Sequence, residues 1–163
     1  MDRSELCRLL DEQGIPYELA EHPAVFTIEE MERLGLSGDG EVAKNLFLRD
    51  DKKRHYYLLA LRKDKAVNLK QLRALLGTRP LGFASEADLS ALLGLPKGSV
   101  TPFGILNDAS KRVQVILDRD LMDFETIGVH PNRNTATLWL PPKDLQAILE
   151  RHGNPVTVLN LQG

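Results

Sequence analysis

The residues best suited to chemistry in this 163-residue chain lie between Ile127 and Thr137, in the run IGVHPNRNTAT. Gly128 lets a ligand approach the backbone closely, Pro131 fixes the turn, and His130, two asparagines and two threonines supply hydrogen-bonding groups. Such a set binds and polarises a small polar ligand. The plainer alternative is a hairpin whose His130 and Asn side chains bond their own backbone. Two other stretches carry related chemistry. Lys44 and Asn45 stand near the start of the strand-like run VAKNLFLR, where a side chain can look into a cleft beside a sheet edge. Thr101, Pro102, Phe103 and Gly104 fall within GSVTPFGILND, which combines a hydroxyl, a Pro-fixed turn and a Gly amide open to close approach. That loop reads either as one wall of a pocket or as an ordinary turn.

Several familiar sites are excluded. There is no Gly-rich phosphate loop ending in Lys-Ser or Lys-Thr and no dinucleotide fingerprint after a strand. His22, His55, His130 and His152 lack the paired spacing of a metal site, and no Ser sits in a nucleophile elbow. The single cysteine, Cys7, rules out an internal disulfide and a cysteine-based zinc site; set among Leu6, Leu9 and Leu10, it reads as a buried structural thiol. An enzyme built on this chain is therefore expected to use neither a metal nor a protein nucleophile. What remains is positioning and backbone donors. A cleft walled by Lys44, by the Thr101 to Gly104 loop and by Gly128 to His130 would hold an anionic, nucleotide-like ligand and orient water at an activated ester.

The formal net charge of -2 argues against a protein that coats nucleic acid with its whole surface. The average hides an asymmetry, since residues 44–79 hold eleven Lys and Arg against three Asp and the rest of the chain holds ten against twenty acidic groups. A basic segment on an acidic protein points to a localised contact with phosphates, with a solvated Lys-rich helix and hairpin as the alternative. A composition of 42% hydrophobic and 27% charged residues suits one domain with a real core, spanning 1–163. No apolar run approaches the roughly 20 residues needed to cross a bilayer, and the first five residues lack the order of a signal peptide. No membrane association and a cytoplasmic location are expected.

The elements that must position these groups follow from local pattern. Leu6, Leu9 and Leu10 at helical spacing, with Gly14 as a stop, predict a helix over about 3–13, and Ile15 to Glu21 a short strand. Thr27 with Glu30 predicts a capped helix to about Leu34, followed by a Gly-rich stretch at 35–40 that is either a flap or a plain connection. Val42 to Arg49 and Tyr56 to Leu61 form a hairpin around a charged turn; the second run, nearly all apolar, suits a strand buried on both faces. Asn68 caps a basic helix that ends at Gly77. Leu81 to Ala84 is a strand candidate, Ser85 with Asp88 opens a helix stopped by Gly94, and Val113 to Leu117 is a strand. Pro141-Pro142 starts a last helix, and Pro155 to Leu161 makes a final strand. The whole is an α/β domain with a mixed sheet.

Taken together, VAKNLFLRD, YYLLAL, GSVTPFGILND and IGVHPNRNTAT resemble the YbaK/prolyl-tRNA editing domain superfamily, and most closely its freestanding ProX-type members, the Ala-tRNA(Pro) deacylases. The resemblance runs over nearly the whole chain with the four motifs in order. It implies a mixed, largely antiparallel sheet flanked by helices, and a trans-editing enzyme without cofactors that hydrolyses alanine wrongly attached to proline tRNA. By the same resemblance Lys44, followed by Asn45, holds a phosphate at the tRNA 3' end, where a compact ammonium suits it. The backbone of Gly128 and Val129 faces the aminoacyl carbonyl, His130 and Pro131 shape the pocket, and Thr101, Pro102, Phe103 and Gly104 line it. The implied partners are the acceptor end of proline tRNA and prolyl-tRNA synthetase. Two alternatives stand beside this one: an editor of another mischarge, Cys-tRNA(Pro) or Ser-tRNA, and a noncatalytic module that binds aminoacyl-tRNA or a synthetase.

Overall fold

A computed structural model of the chain describes residues 3–21, 41–96, 98–130 and 136–161. The helix expected at Thr27 to Leu34, the Gly-rich stretch after it and Pro131 lie outside them.

The longest strand organises the rest. Helix α1 (Arg3–Glu12) leads to strand β1 (Glu18–Glu21), and β2 (Glu41–Asp50) then turns back into β3 (Tyr56–Arg62) in register from Ala43↔Arg62 to Arg49↔Tyr56. Asp50 builds that turn: its carboxylate accepts from the Arg54 N–H at 2.8 Å and the His55 N–H at 3.3 Å. Helix α2 (Leu69–Leu76) starts where the Asn68 side chain accepts from the Lys70 and Gln71 amides, and stops at Gly77, whose φ of 62° is left-handed. Strand β4 (Leu81–Phe83) precedes a short helix α3 (Glu86–Asp88), where Ser85 and Asp88 form a full capping box. The chain then widens into a π-type turn over Leu89–Leu93 before Gly94, so the single helix expected from Ser85 to Gly94 is two pieces.

A buried 3-10 helix (Pro102–Asn107) leads to β5 (Val113–Asp118), a second 3-10 turn (Arg119–Asp123), β6 (Ile127–Val129) and β7 (Ala136–Leu140). Helix α4 (Pro142–His152) and β8 (Val156–Leu159) close the fold. The strands make one mixed sheet in the order β1-β7-β6-β2-β3-β5-β8, with β4 also on β2. Among the described residues four pairings are antiparallel and three parallel.

Alternation along the strands divides the core by sheet face. Ala43, Phe47, Leu58, Ala60, Val115 and Leu138 face the larger cluster, covered by Leu6 and Leu10 of α1 and by Leu145, Ile148 and Leu149 of α4. Leu48, Tyr57, Leu59 and Leu61 face a smaller one, covered by Leu72 of α2 and by Leu161. Residues 56–61 are all buried, as a strand covered on both faces requires. Cys7 is half-buried and packs against the larger cluster. No described helix is long and apolar enough to cross a membrane.

Candidate active site

The sheet forks along one edge of β2. At its start, Glu41 and Val42 pair in parallel with Ile127 and Gly128 of β6. At its end, Leu48 to Asp50 pair with Phe83 to Leu81 of β4, and the Phe47 carbonyl accepts from the Ala84 amide at 3.0 Å. Between these ladders, Ala43 to Leu46 have their described strand partner on the β3 side. Lys44 and Asn45 stand in the fork. Lys44 and His130, 86 positions apart in the chain, each follow two residues after the Val42↔Gly128 pair that ends this ladder.

The fork has two faces. Lys44 is in register with Leu61 and shares a face with Gly128, Thr137 and Trp139. Asn45 is in register with Ala60 and lies on the opposite face with Val129. The Lys44 ammonium donates to the Lys65 carbonyl at 2.9 Å, which uses one of its three donors. The Asn45 amide donates to the Ala43 carbonyl at 3.4 Å, while its Oδ1 is buried with no hydrogen-bond partner among the described residues. A buried acceptor left unpaired costs on the order of 1–3 kcal/mol, which sets this oxygen apart as a group that gains from meeting a donor.

Gly128 is fixed by packing. A Cβ built there would come within 2.8 and 2.9 Å of the Trp139 ring and 3.0 Å of the Thr137 methyl, distances that side-chain carbons do not tolerate. Its backbone lies in ladders with Val42 on one side and Trp139 on the other, and the β2 side of that ladder ends just beyond it. His130 follows the strand. Its Nδ1 is 2.9 Å from the Ala136 carbonyl; since a carbonyl only accepts, Nδ1 carries a proton and donates. The His130 carbonyl in turn accepts from the Thr101 hydroxyl at 2.6 Å.

The loop at 98–108 differs from expectation. Thr101 is wholly buried and its oxygen also accepts from the Phe103 amide at 3.4 Å, capping the 3-10 helix. Phe103 and Ile105 are fully buried members of the larger cluster. The Gly104 amide is not open to a ligand, because it donates to the Thr101 carbonyl at 3.0 Å; a Cβ at Gly104 would meet Leu95 at 2.6 Å. The glycine is there to let the turn lie on Leu93 and Leu95. Thr101 therefore connects this loop to the site through the His130 backbone, and Phe103 and Gly104 support it from the core.

Residues beyond the motifs complete the site. Lys65, Ala136 and Trp139 hold Lys44, His130 and Gly128 respectively. Trp139 sat in the apolar run after the His-Pro motif, whereas nothing local marked Lys65. The basic segment is partly neutralised: Arg49 pairs with Asp88, Arg62 with Asp64, Lys65 with Asp118 and Asp120, and Arg79 with Asp51. Lys52, Lys53 and Arg54 in the β2–β3 turn, and Lys70 and Arg73 on α2, are exposed.

Comparison with known proteins bears on the family and the fold. The chain is 44% identical over 152 residues to the prolyl-tRNA editing protein ProX of Acetoanaerobium sticklandii, covering 93% of each chain. It is 36% identical over 166 residues to prolyl-tRNA synthetase associated domain-containing protein 1 of Xenopus laevis, covering 97% of this chain and 96% of that one. Among solved structures, the fold matches a candidate trans-editing enzyme for prolyl tRNA synthetase with a TM-score of 0.72, at 21% identity over 99% of this chain and 97% of the other. Residues 22–148 match the model of the aminoacyl-tRNA editing domain, and the chain belongs to that family.

Proposed function

We propose that the chain is a trans-editing deacylase that hydrolyses the ester of alanine mischarged onto proline tRNA. The observation that carries this reading is the editing-domain match across residues 22–148; the Val42↔Gly128 pair, with Lys44 and His130 each two residues beyond it, supports it. The chemistry required is modest. Water adds to the carbonyl carbon of an already activated ester, the carbonyl electrons collect on oxygen, and collapse of the intermediate expels the terminal ribose oxygen, which takes up the proton lost by water. Orientation and a few donors suffice for such a step.

Lys44 is assigned to a phosphate at the tRNA 3' end, as a point charge with donors to spare beyond Lys65. The backbone of Gly128 and Val129, where β6 parts from β2, is assigned to the aminoacyl carbonyl. His130, oriented by Ala136 and held by Thr101, shapes the pocket and positions water rather than acting as an obligate base. Asn45, Val129 and Pro131 are assigned to substrate binding, with the Thr101 to Gly104 turn supporting the pocket from the core through the His130 backbone. The exposed cations of the β2–β3 turn and α2 suit the acceptor end of an RNA.

Alanine is the substrate that most needs such an editor. A synthetase pocket built for proline rejects a smaller side chain by only about 1–3 kcal/mol per missing methylene, and a second pocket sized for alanine excludes proline by bulk. The test is single-turnover deacylation of proline tRNA charged separately with alanine, cysteine, serine or proline, by the parent and by Lys44→Ala. Fast loss of alanine alone, slowed in the variant, is expected. Preference for cysteine or serine would move the specificity, and binding without turnover would replace the enzyme with a noncatalytic module. The names of the vertebrate relatives favour prolyl-tRNA synthetase as a physical partner, which co-elution of the two proteins in gel filtration would test.

A further inference from the structure

We propose that Lys65, gripped by Asp118 and Asp120, is a positioning residue for Lys44. The inference rests on the reading of Lys44 as the phosphate-binding group. Lys65 lies in the turn after β3, where its amide donates to the Arg62 carbonyl at 3.1 Å and its carbonyl accepts from the Lys44 ammonium at 2.9 Å. Its own ammonium meets three acceptors: Asp118 Oδ1 at 2.8 Å, Asp120 Oδ2 at 2.8 Å and the Leu161 carbonyl at 2.6 Å. Three donors find three partners, so the head group is saturated and the side chain is only 12% exposed. Burial disfavours its charge, yet the hydrogen bonds to Asp118 and Asp120 outweigh burial and hold its pKa above the ordinary lysine value.

The grip fixes the backbone as well as the head group. Asp118 is completely buried, and its second oxygen accepts from the Arg62 amide at 3.0 Å. The turn is therefore tied at Arg62 by its backbone and at Lys65 by its side chain, both to the same carboxylate. A carbonyl held this way has little freedom to swing, and it aims the Lys44 ammonium at one place in the fork. An untethered lysine would lose about 2 kcal/mol of rotamer entropy on fixing its stem. Pre-orientation moves that cost from substrate binding to folding. The phosphate-binding lysine is thus set by a second lysine that need not touch the substrate.

A purely structural Lys65 would change stability while leaving turnover per folded molecule unaltered, so the test is a coupling measurement. Lys65→Met keeps the stem and removes the head group; Asp120→Asn removes one carboxylate partner of Lys65, itself 40% exposed, and leaves no buried charge unpaired. Each is measured for single-turnover kcat/KM on mischarged proline tRNA, alone and combined with Lys44→Ala, with the folded fraction fixed by circular dichroism. We expect Lys65→Met to raise KM about tenfold and Asp120→Asn two- to threefold, with kcat nearly constant, and both effects to vanish in the Lys44→Ala background. Equal factors in the two backgrounds, or no change with either variant while Lys44→Ala remains impaired, would overturn the inference. Should Lys65→Met not fold, Asp120→Asn decides alone. Unimpaired Lys44→Ala would instead overturn the functional reading on which the inference rests.

Discussion

The Thr101 hydroxyl donates to the His130 carbonyl at 2.6 Å, across 29 residues of sequence. This bond ties the core-packed turn at 101–104 to the end of β6, and it holds the backbone that carries the His130 ring. Thr101→Val keeps the volume and removes the hydroxyl, leaving the half-buried His130 carbonyl and the buried Phe103 amide each short of a partner. A loss of about 1–3 kcal/mol is expected, read from the urea midpoint, together with a roughly tenfold fall in single-turnover deacylation. Thr101→Ser keeps the hydroxyl and should recover most of the rate. Equal rates for Val and Ser would show that the bond serves stability alone.

Gly128 and Trp139 are cross-strand partners in contact, and the tryptophan is the only one in the chain. Gly128→Ala forces its methyl to within 3 Å of the ring, so the ring or the strand must move. Overpacking of this kind costs about 1–3 kcal/mol. The intrinsic fluorescence of Trp139 reports the movement directly. The double variant Gly128→Ala, Trp139→Leu should regain part of the lost stability, since the clashing edge is gone; a double variant no more stable than the sum of the two singles predicts would locate the strain elsewhere.

The parts of this fold that were legible in the sequence are those set by neighbours in the chain. Asn68 and Gly77 bracket α2 because an Asx side chain and a left-handed glycine act within one turn. Tyr56 to Leu61 announces a doubly buried strand by composition, and the Asp50 turn gives the hairpin. The candidate site was legible as residue types, and the Val42↔Gly128 pair sets Lys44 and His130 each two residues beyond one ladder's end. What local pattern does not encode is which partner each group meets. The fork in β2 depends on β4 and β6 arriving at the same edge from positions 81 and 127. Gly104 advertises an open amide in sequence, yet its environment is set by Leu95 and by the Thr101 carbonyl. Lys65 sits in a basic run like any solvated lysine, and only the return of β5 and the C-terminal residues reveals its three acceptors.

His130→Ala is expected to be milder than Lys44→Ala. The ring donates through Nδ1 to Ala136, a bond that orients it, and the proposed chemistry asks it to position water rather than to accept a proton in every turnover. A fall in kcat of about tenfold with unchanged KM is expected, against a larger fall in kcat/KM, through KM, for Lys44→Ala. Complete loss of kcat with normal tRNA binding would raise His130 to an obligate acid–base group.

Acid should destabilise the protein through Asp50 and Asp88. Burial pushes both carboxyls up, but the backbone amides of Arg54 and His55 at Asp50 outweigh it, as do Ser85 and Arg49 at Asp88, and both pKa values lie below the usual aspartate range. A carboxyl whose pKa is lower when folded contributes stability that is fully present above its unfolded pKa of about 3.9 and is lost as pH falls through the folded value. The unfolding free energy should therefore be level from pH 7 to about 5 and decline below about 4. Asp88→Asn removes one of the two groups and leaves Arg49 without its charged partner; its stability at pH 7 should be lower than the parent's, and the gap should narrow toward pH 3. A gap that stays constant across that range would mean that Asp88 contributes through shape and neutral hydrogen bonds, and that its charge has no part in the acid limb.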